Sequence, residues 1–271
     1  KLLAVLAERG ATLAVEAQFY DFMRTGLQIE VPDCLLIHGD KFEADYAVCM
    51  GGDGTFLGVA SRVGEKQIPI LGINTGRLGF LAAFSSDDIE EAVDDLYSGR
   101  ACVEERSVLQ LSCDDEQLAD HPFALNEIAV LKHDISSMIS IHTSINGEYL
   151  TTYQADGLIL GTPTGSTAYS LSVGGPIVVP QSQTLSLTPV AAHSLNMRPL
   201  LLTDDSEVEL MVESRSHSFL IAIDGRSQSY RDGIHLRVRR APYNIKVVMH
   251  RGESFFTTLR RKMMWGTDRR E

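Results

Sequence analysis

The spacing of apolar residues changes once along this chain, near residue 103, and no single-class fold accommodates both sides of that change. Before it, helical and extended periods alternate. Leu2, Leu3, Val5 and Leu6 follow a helical period that ends near Gly10, and residues 11–15 read as extended. Residues 45–50 form a short apolar run entering a glycine turn, with helical spacing over 56–63 behind it, and residues 67–73 repeat the run before a second glycine cluster. A helix over 87–97 is predicted from Ile89, Val93 and Leu96 on one face, with Ser86 or Asp87 as N-cap and Gly99 as its stop. Because helical pattern starts almost at Lys1, a strand upstream of it is expected.

After residue 103 only strand candidates follow, at 107–112, 124–131, 138–145, 149–153, 157–160, 207–212, 219–223 and 233–238. Short runs at such close spacing predict an all-β second domain. Asn146-Gly147 between two of them is a strong hairpin signal, because a tight I′ turn needs positive φ at both central residues. No internal repeat or low-complexity linker separates the halves, so the boundary falls near residues 99–106. A length of 271 residues suits one large domain or two ordinary ones.

Composition narrows the partners. With 44% hydrophobic and 22% charged residues the chain is that of a soluble globular protein, and a net charge of −12 argues against nucleic acid, whose phosphates call for basic surfaces. Residues 231–271 carry +7 while the remainder carries −19. In His235-Leu-Arg-Val-Arg239 the charges alternate with Leu236 and Val238, so the basic tail reads first as solvated strand faces and second as an anion-binding surface. Cys34, Cys49, Cys102 and Cys113 form no C-x-x-C pair, which fits a reducing cytoplasm. No signal-peptide pattern opens the chain, and no run of ~18 apolar residues is present to cross a membrane. The longest charge-free stretch, 157–197, is broken by four prolines and five glycines and reads as turn-rich.

Three places could carry chemistry. Gly51-Gly52-Asp53-Gly54-Thr55 lies between a predicted buried strand and a helix, where glycines let backbone N–H groups approach a phosphate and Asp53 is presented at the mouth of the sheet. It is neither a Walker A loop nor a G-x-G-x-x-G fingerprint, and by itself an Asp-Gly turn is more often structural. The second cluster, Gly72 to Phe80, reads as another βα loop. Within the charge-free stretch, residues 162–176 concentrate hydroxyls and glycines around Tyr169, a surface suited to hydrogen-bonding a neutral polar ligand with an aromatic face for a base. Asn126-Glu127 interrupts an otherwise apolar strand, and a buried carboxylate needs a partner, either sugar hydroxyls or a structural backbone contact.

In this order and spacing, Gly51-Gly-Asp-Gly-Thr55, Gly72-Ile-Asn-Thr-Gly76 with Leu78-Gly-Phe80, Asn126-Glu127, and Asp156-Gly-Leu-Ile-Leu-Gly-Thr-Pro-Thr-Gly-Ser-Thr-Ala-Tyr169 resemble a bacterial NAD kinase. His193, Arg198-Pro-Leu200 and Asp224-Gly225 continue the likeness over nearly the whole chain. The resemblance implies a Rossmann-like α/β domain over residues 1–105, a β-rich, β-sandwich-like domain over 106–250 for NAD binding and oligomerisation, and a segment 251–271 returning to the first domain. It implies transfer of the γ-phosphoryl group of ATP to the 2′-hydroxyl of the adenosine ribose of NAD, with Mg²⁺ or another divalent cation on the donor phosphates, NAD in the cleft between the domains, and a homodimer or homotetramer.

Carried onto matching positions, Asp53 would be the base toward the 2′-hydroxyl, and Gly52, Gly54 and Thr55 would line the phosphate-donor turn. Phe80 would pack near the adenine, Asn126 and Glu127 would hold ribose hydroxyls, and Asp156 would face the nicotinamide end from a neighbouring subunit. Thr164, Thr167, Ala168, Tyr169, Ser170, Leu171 and Ser172 would line the nucleotide pocket, and Asp224 would join the cofactor-binding set. Gln154 stands where the family often has a basic residue, Arg226 where Gln is common, and Ser137 where some relatives carry His. These departures bear on the NAD contacts and the subunit boundary, not on the chemistry. The Gly-Gly-Asp-Gly turn also occurs in diacylglycerol and other lipid-type kinases, but this acidic chain offers no clear basic or apolar membrane-facing surface. A non-catalytic NAD-binding sensor is the alternative of another class, and a binding pocket alone gives no reason for an Asp in the donor turn.

Overall fold

In the computed structural model, which describes residues 1–76, 79–113, 121–134, 137–252 and 254–265, Lys1–Glu104 together with Lys246–Glu271 form one unit and Glu105–Ile245 form the other. The first unit begins α1 (Leu2–Glu8), β1 (Ala14–Glu16), α2 (Ala17–Asp21), β2 (Leu35–Ile37), β3 (Ala47–Met50), α3 (Asp53–Val63), β4 (Ile70–Asn74), β5 (Phe84–Ser85) and α4 (Ile89–Tyr97). β3 and β5 both pair in parallel with β4, whose five residues are all buried, as expected of a strand covered on both faces. Phe56, Ala60 and Val63 put one face of α3 into the core. Gly72 lets the layers meet, since a Cβ there would lie 2.8 Å from Ala82 Cα and 2.9 Å from the Phe56 ring.

α4 starts two residues later than its sequence predicts. The cap position is Asp88, and the preceding residues are held in a turn in which the Asp88 carboxylate accepts the Ser85 N–H and O–H, both at 2.7 Å. Ile89, Ala92 and Val93 then pack with Leu2, Leu71, Ile73, Phe84 and Val248.

The second unit contains β6 (Cys102–Cys113), β7 (Phe123–Ala124), β8 (Glu127–Lys132), β9 (Ile139–Ile145), β10 (Glu148–Ala155), β11 (Gly157–Gly161), the single-turn α5 (Tyr169–Ser172), β12 (Thr184–Val190), β13 (Leu200–Thr203), β14 (Val208–Glu213), β15 (Ser218–Ile223), β16 (Arg226–Arg231) and most of β17 (His235–Met249). One antiparallel sheet has the order β13-β12-β11-β8-β15-β16; in the other, β10, β9, β14 and β17 are neighbours in turn, and β6 pairs with β17 and β7. Alternate residues of both sheets meet in one core, among them Ile128, Val130, Leu158, Leu160, Leu210, Val212, Ile221 and Val238, which makes the unit a β-sandwich. Asn146 and Gly147, at φ 52° and 80°, join β9 to β10 as their sequence predicts.

Asn126 breaks the predicted strand 124–131 into β7 and β8. Three strands carry no clear sequence signal. β12 lies in the turn-rich stretch and contains Pro189, which argues against a strand, yet Leu185 and Leu187 alternate into the core. β13 is short, and β16 buries only Tyr230. The chain then returns: Val247 and Val248 at the end of β17 pair in parallel with Ile70 and Leu71 of β4. α6 (Phe255–Met263) follows, its first turn capped by the Ser254 hydroxyl accepting the Thr257 N–H at 3.2 Å and its Leu259 buried. Among the described residues no helix is long and apolar enough to cross a membrane.

Candidate active site

β3 delivers the chain to a glycine turn, and the first residue after that turn to take helical geometry is Asp53, with Gly52 as the N-cap of α3. A carboxylate in the first turn of a helix faces unpaired N–H groups and the positive end of the dipole. Here it also collects donors from the connection between β4 and β5: Oδ2 accepts the Phe80 N–H at 3.0 Å, and Oδ1 accepts the Leu81 and Ala82 N–H groups at 3.1 and 3.4 Å. Gly79 makes this approach possible, because a Cβ there would overlap the carboxylate. Lys262 Nζ, from the last turn of α6, lies 3.6 Å from Asp53 Oδ2 and 4.5 Å from the centre of the Phe80 ring. Phe80 in turn packs on Phe255, the ring centres 6.2 Å apart.

The front of the turn is open. Gly52, Gly54 and Thr55 are exposed, and a Cβ on Gly52 or Gly54 would meet no atom within 4 Å. Neither glycine has positive φ. Glycine at these positions therefore leaves room for something outside the chain to approach the backbone. Behind the turn, burial and then the Asp53 charge push the Cys49 thiol up to about 12, which keeps it protonated and unsuited to act as a nucleophile. Arg77 and Leu78 of the second cluster lie outside the described residues.

A separate polar corner is built on the sandwich. Asp224 adopts φ 47° and, with Gly225 at 80°, forms the two-residue turn between β15 and β16. Its carboxylate is wholly engaged in holding the Asn126-Glu127 corner: Oδ2 accepts the Leu125 N–H at 2.8 Å, and Oδ1 accepts the N–H groups of Asn126 at 2.8 Å and Glu127 at 3.1 Å. Thr162 braces the same corner, donating its hydroxyl to the Leu125 carbonyl at 2.6 Å and its N–H to the Asn126 carbonyl at 2.9 Å. Gly165 fits against Asn126 only because it has no Cβ.

Asn126 and Glu127 are each only 8% exposed. Burial, with the neighbouring Asp224 charge added, pushes the Glu127 carboxyl up to about 7, against the opposing hydrogen bond from the Tyr169 N–H. Burial raises Asp224 as well, opposed by its three backbone donors and by Arg226. Glu127 Oε2 and Thr164 Oγ1 are buried with no hydrogen-bond partner among the described residues. Two orphaned polar atoms on one corner leave hydrogen-bonding capacity there for a ligand or an ordered water.

The other expected positions are placed as follows. Thr164 to Thr167 form a 3₁₀ turn leading into α5, and the Ser170 hydroxyl is tied to Thr188 Oγ1 at 2.9 Å. Thr167, Ala168 and Leu171 are half-buried, while Tyr169 and Ser172 are exposed. Asp156 is ion-paired with Lys132 at 2.7 Å. Gln154 is exposed on β10, opposite Ser140.

Two family models match the chain. The N-terminal domain of ATP-NAD kinases covers residues 35–101 and the C-terminal domain of ATP-NAD kinases covers residues 125–250. A curated NAD kinase of Bacteroides fragilis is 58% identical over 269 residues, spanning 99% of this chain and 93% of that protein. The chain belongs to the NAD kinase family. A crystal structure of yeast NADH kinase complexed with NADH superposes with a TM-score of 0.89 at 26% identity, covering 98% of this chain and 83% of that one. An NAD kinase from Archaeoglobus fulgidus in complex with ATP gives 0.73 at 25% identity, covering 94% and 99%.

The enzyme is thus a transferase that phosphorylates NAD, and the lipid-kinase and sensor alternatives give way. Three residues that shape these clusters in this NAD kinase take parts that the sequence does not announce. The Asp224 carboxylate, which the family resemblance assigns to the cofactor-binding set, accepts the backbone N–H groups of residues 125–127. The available signal is Asp-Gly between two strand-length segments, the two-residue hairpin pattern. Gly79 enters the sequence reading only as part of a motif. Lys262 is absorbed there into the basic tail, although Arg260, Arg261 and Lys262 close a helix opened by a serine cap.

Proposed function

We propose that Asp53 faces the 2′-hydroxyl of the adenosine ribose of NAD and that Gly52, Gly54 and Thr55 line the path of the γ-phosphate of ATP. The observation that carries this reading is the Asp53 carboxylate itself, fixed by three backbone N–H groups beside glycines that leave open space. In the transfer, a bond forms from the 2′-oxygen to the γ-phosphorus. The bond from that phosphorus to the bridging oxygen breaks, ADP leaves with the electron pair, and the hydroxyl proton passes to the Asp53 carboxylate. A loose transition state leaves that proton in place until late, so Asp53 acts chiefly by orienting the hydroxyl. The ATP and NADH complexes of the two structural relatives support these substrate classes.

A divalent cation bound with ATP supplies charge neutralisation at the triphosphate. No group of three or more His, Cys, Asp or Glu side chains among the described residues could hold a metal ion. A cation kept mainly by phosphate oxygens and water would need only one or two carboxylates, and Asp53 would be the one at the donor turn.

Phe80 packs against the adenine. On the sandwich, Asn126 and Glu127 hold ribose hydroxyls, with Thr164 and residues 167–172 lining the nucleotide pocket; the orphaned Glu127 Oε2 and Thr164 Oγ1 support this. Asp224 acts through them as a positioning residue. Asp156 and Gln154 approach the nicotinamide end across a subunit boundary in a homodimer or homotetramer. The edge position of β10 and its exposed Tyr149 and Leu150 favour such a boundary. Cys34, Cys49, Cys102 and Cys113 form no disulfide, which fits a cytoplasmic enzyme.

NADP formation from NAD, ATP and Mg²⁺, run beside Asp53→Asn, tests the assignment. Loss of a positioned acid–base group lowers turnover by about 100-fold or more; near-full turnover in the variant overturns the reading.

A further inference from the structure

Lys262 is the one feature of the Asp53 cluster that the phosphoryl transfer leaves without a task. Its ammonium lies 3.6 Å from Asp53 Oδ2 and 4.5 Å above the Phe80 ring, so it touches both residues proposed to meet the adenosine end of NAD. Its side chain is 32% exposed and that of Asp53 31%, so the pair is open to a ligand on one side. A 3.6 Å separation is a loose ion pair, one that a stronger anion can displace. The four-carbon stem lets the charge follow its partner.

The reach is sufficient. A hydroxyl oxygen hydrogen-bonded to Asp53 Oδ2 lies no farther than about 6.5 Å from Lys262 Nζ, within the swing of a lysine stem. Before the reaction that oxygen carries a hydroxyl, which is neutral. After it, the oxygen carries a phosphate with a charge of about −1.5 to −2, set down beside the Asp53 carboxylate. A cation is needed at that place more by the product, and by the phosphoryl group in flight, than by the substrate.

We infer that Lys262 is the counter-cation for the arriving phosphoryl group, pairing with Asp53 in the free enzyme and with the 2′-phosphate once it has formed. The inference rests on the reading of Asp53 as the residue at the acceptor hydroxyl. Its signature is a selective one. Lys262 distinguishes NADP from NAD, whereas a lysine that only steadied α6 or the Asp53 side chain would affect both dinucleotides alike.

The test measures NAD and NADP binding by calorimetry, with steady-state kinetics in parallel, on wild type, Lys262→Met and Lys262→Arg. Met keeps the length and apolar stem without the charge, and Arg restores the charge. The expected result is an NADP affinity about tenfold weaker in Lys262→Met, NAD affinity within about twofold of wild type, a fall in kcat larger than any change in KM for NAD, and recovery of most of the NADP affinity in Lys262→Arg. Equal weakening of both dinucleotides, or no change in either, overturns the inference. Asp53→Asn is run alongside. Full turnover in that variant counts against the Asp53 reading alone, while the NADP-to-NAD affinity ratio of Lys262→Met reports on Lys262 by itself.

Discussion

The buried Glu127 carboxyl makes the stability of the sandwich depend on pH. Glu127 binds its proton more readily in the folded protein, where its value is about 7, than at its ordinary 4.5, so its contribution favours folding fully below 4.5 and is lost as pH rises through 7. Raised by burial, Asp224 acts in the same sense. Replacing Glu127 by its neutral isostere removes its share of the dependence. Glu127→Gln is expected to melt at a higher temperature than wild type at pH 8 and to lose that advantage at pH 5, measured by calorimetry without nucleotide. A difference in melting temperature that does not vary with pH would count against a carboxyl penalised by burial. The sequence marks Asn126 and Glu127 because polar residues interrupt an apolar run, and marks Asp53 because a carboxylate sits among glycines. It does not reveal the clamp on that corner, since Asp224 holds its three N–H groups across 97 to 99 residues of chain, by a side-chain geometry no local pattern encodes.

Among the connecting elements, the two glycine-bearing loops of the first unit serve different ends, and substitution separates them. Gly79 in the β4–β5 connection makes room for Asp53, so Gly79→Ala should displace the carboxylate and lower turnover at least about tenfold. Gly54 lies within α3 and faces open space, so Gly54→Ala should leave the melting temperature unchanged or raise it by the helix propensity gained, up to about 1 kcal/mol. If its turnover nevertheless falls, the space in front of the turn is used by a ligand; steady-state kinetics with calorimetry decide both cases. Strands with alternating apolar residues are legible in the sequence, as at β9 and β14. β16 is not, because five of its six residues are exposed and its place is set by the turn before it and by pairing with β15.

At the scale of the whole molecule, the two textures of the sequence correspond to two units, but the path between them is not a simple succession. The first unit takes its helices and parallel strands from the beginning of the chain and completes its sheet with Val247 and Val248, arriving after the entire sandwich. Periodicity cannot announce such a return, because a late strand looks the same whichever sheet it joins; only the family resemblance points to it. A chain ending at Ile245 lacks both that strand and α6. It should make no NADP and should lose much of its helical circular dichroism while keeping the β-sheet signal, whereas loss of both signals together would mean that the sandwich depends on the first unit. On the ribosome the same path imposes an order. Asp53 emerges early, yet the strand beside β4 and the lysine facing that carboxylate emerge only after the whole sandwich, so a polypeptide interrupted anywhere between residues 55 and 262 carries the GGDGT turn without the lysine that pairs with its carboxylate. The carboxylate and the cation opposite it therefore meet only once the sandwich encoded between them has been made.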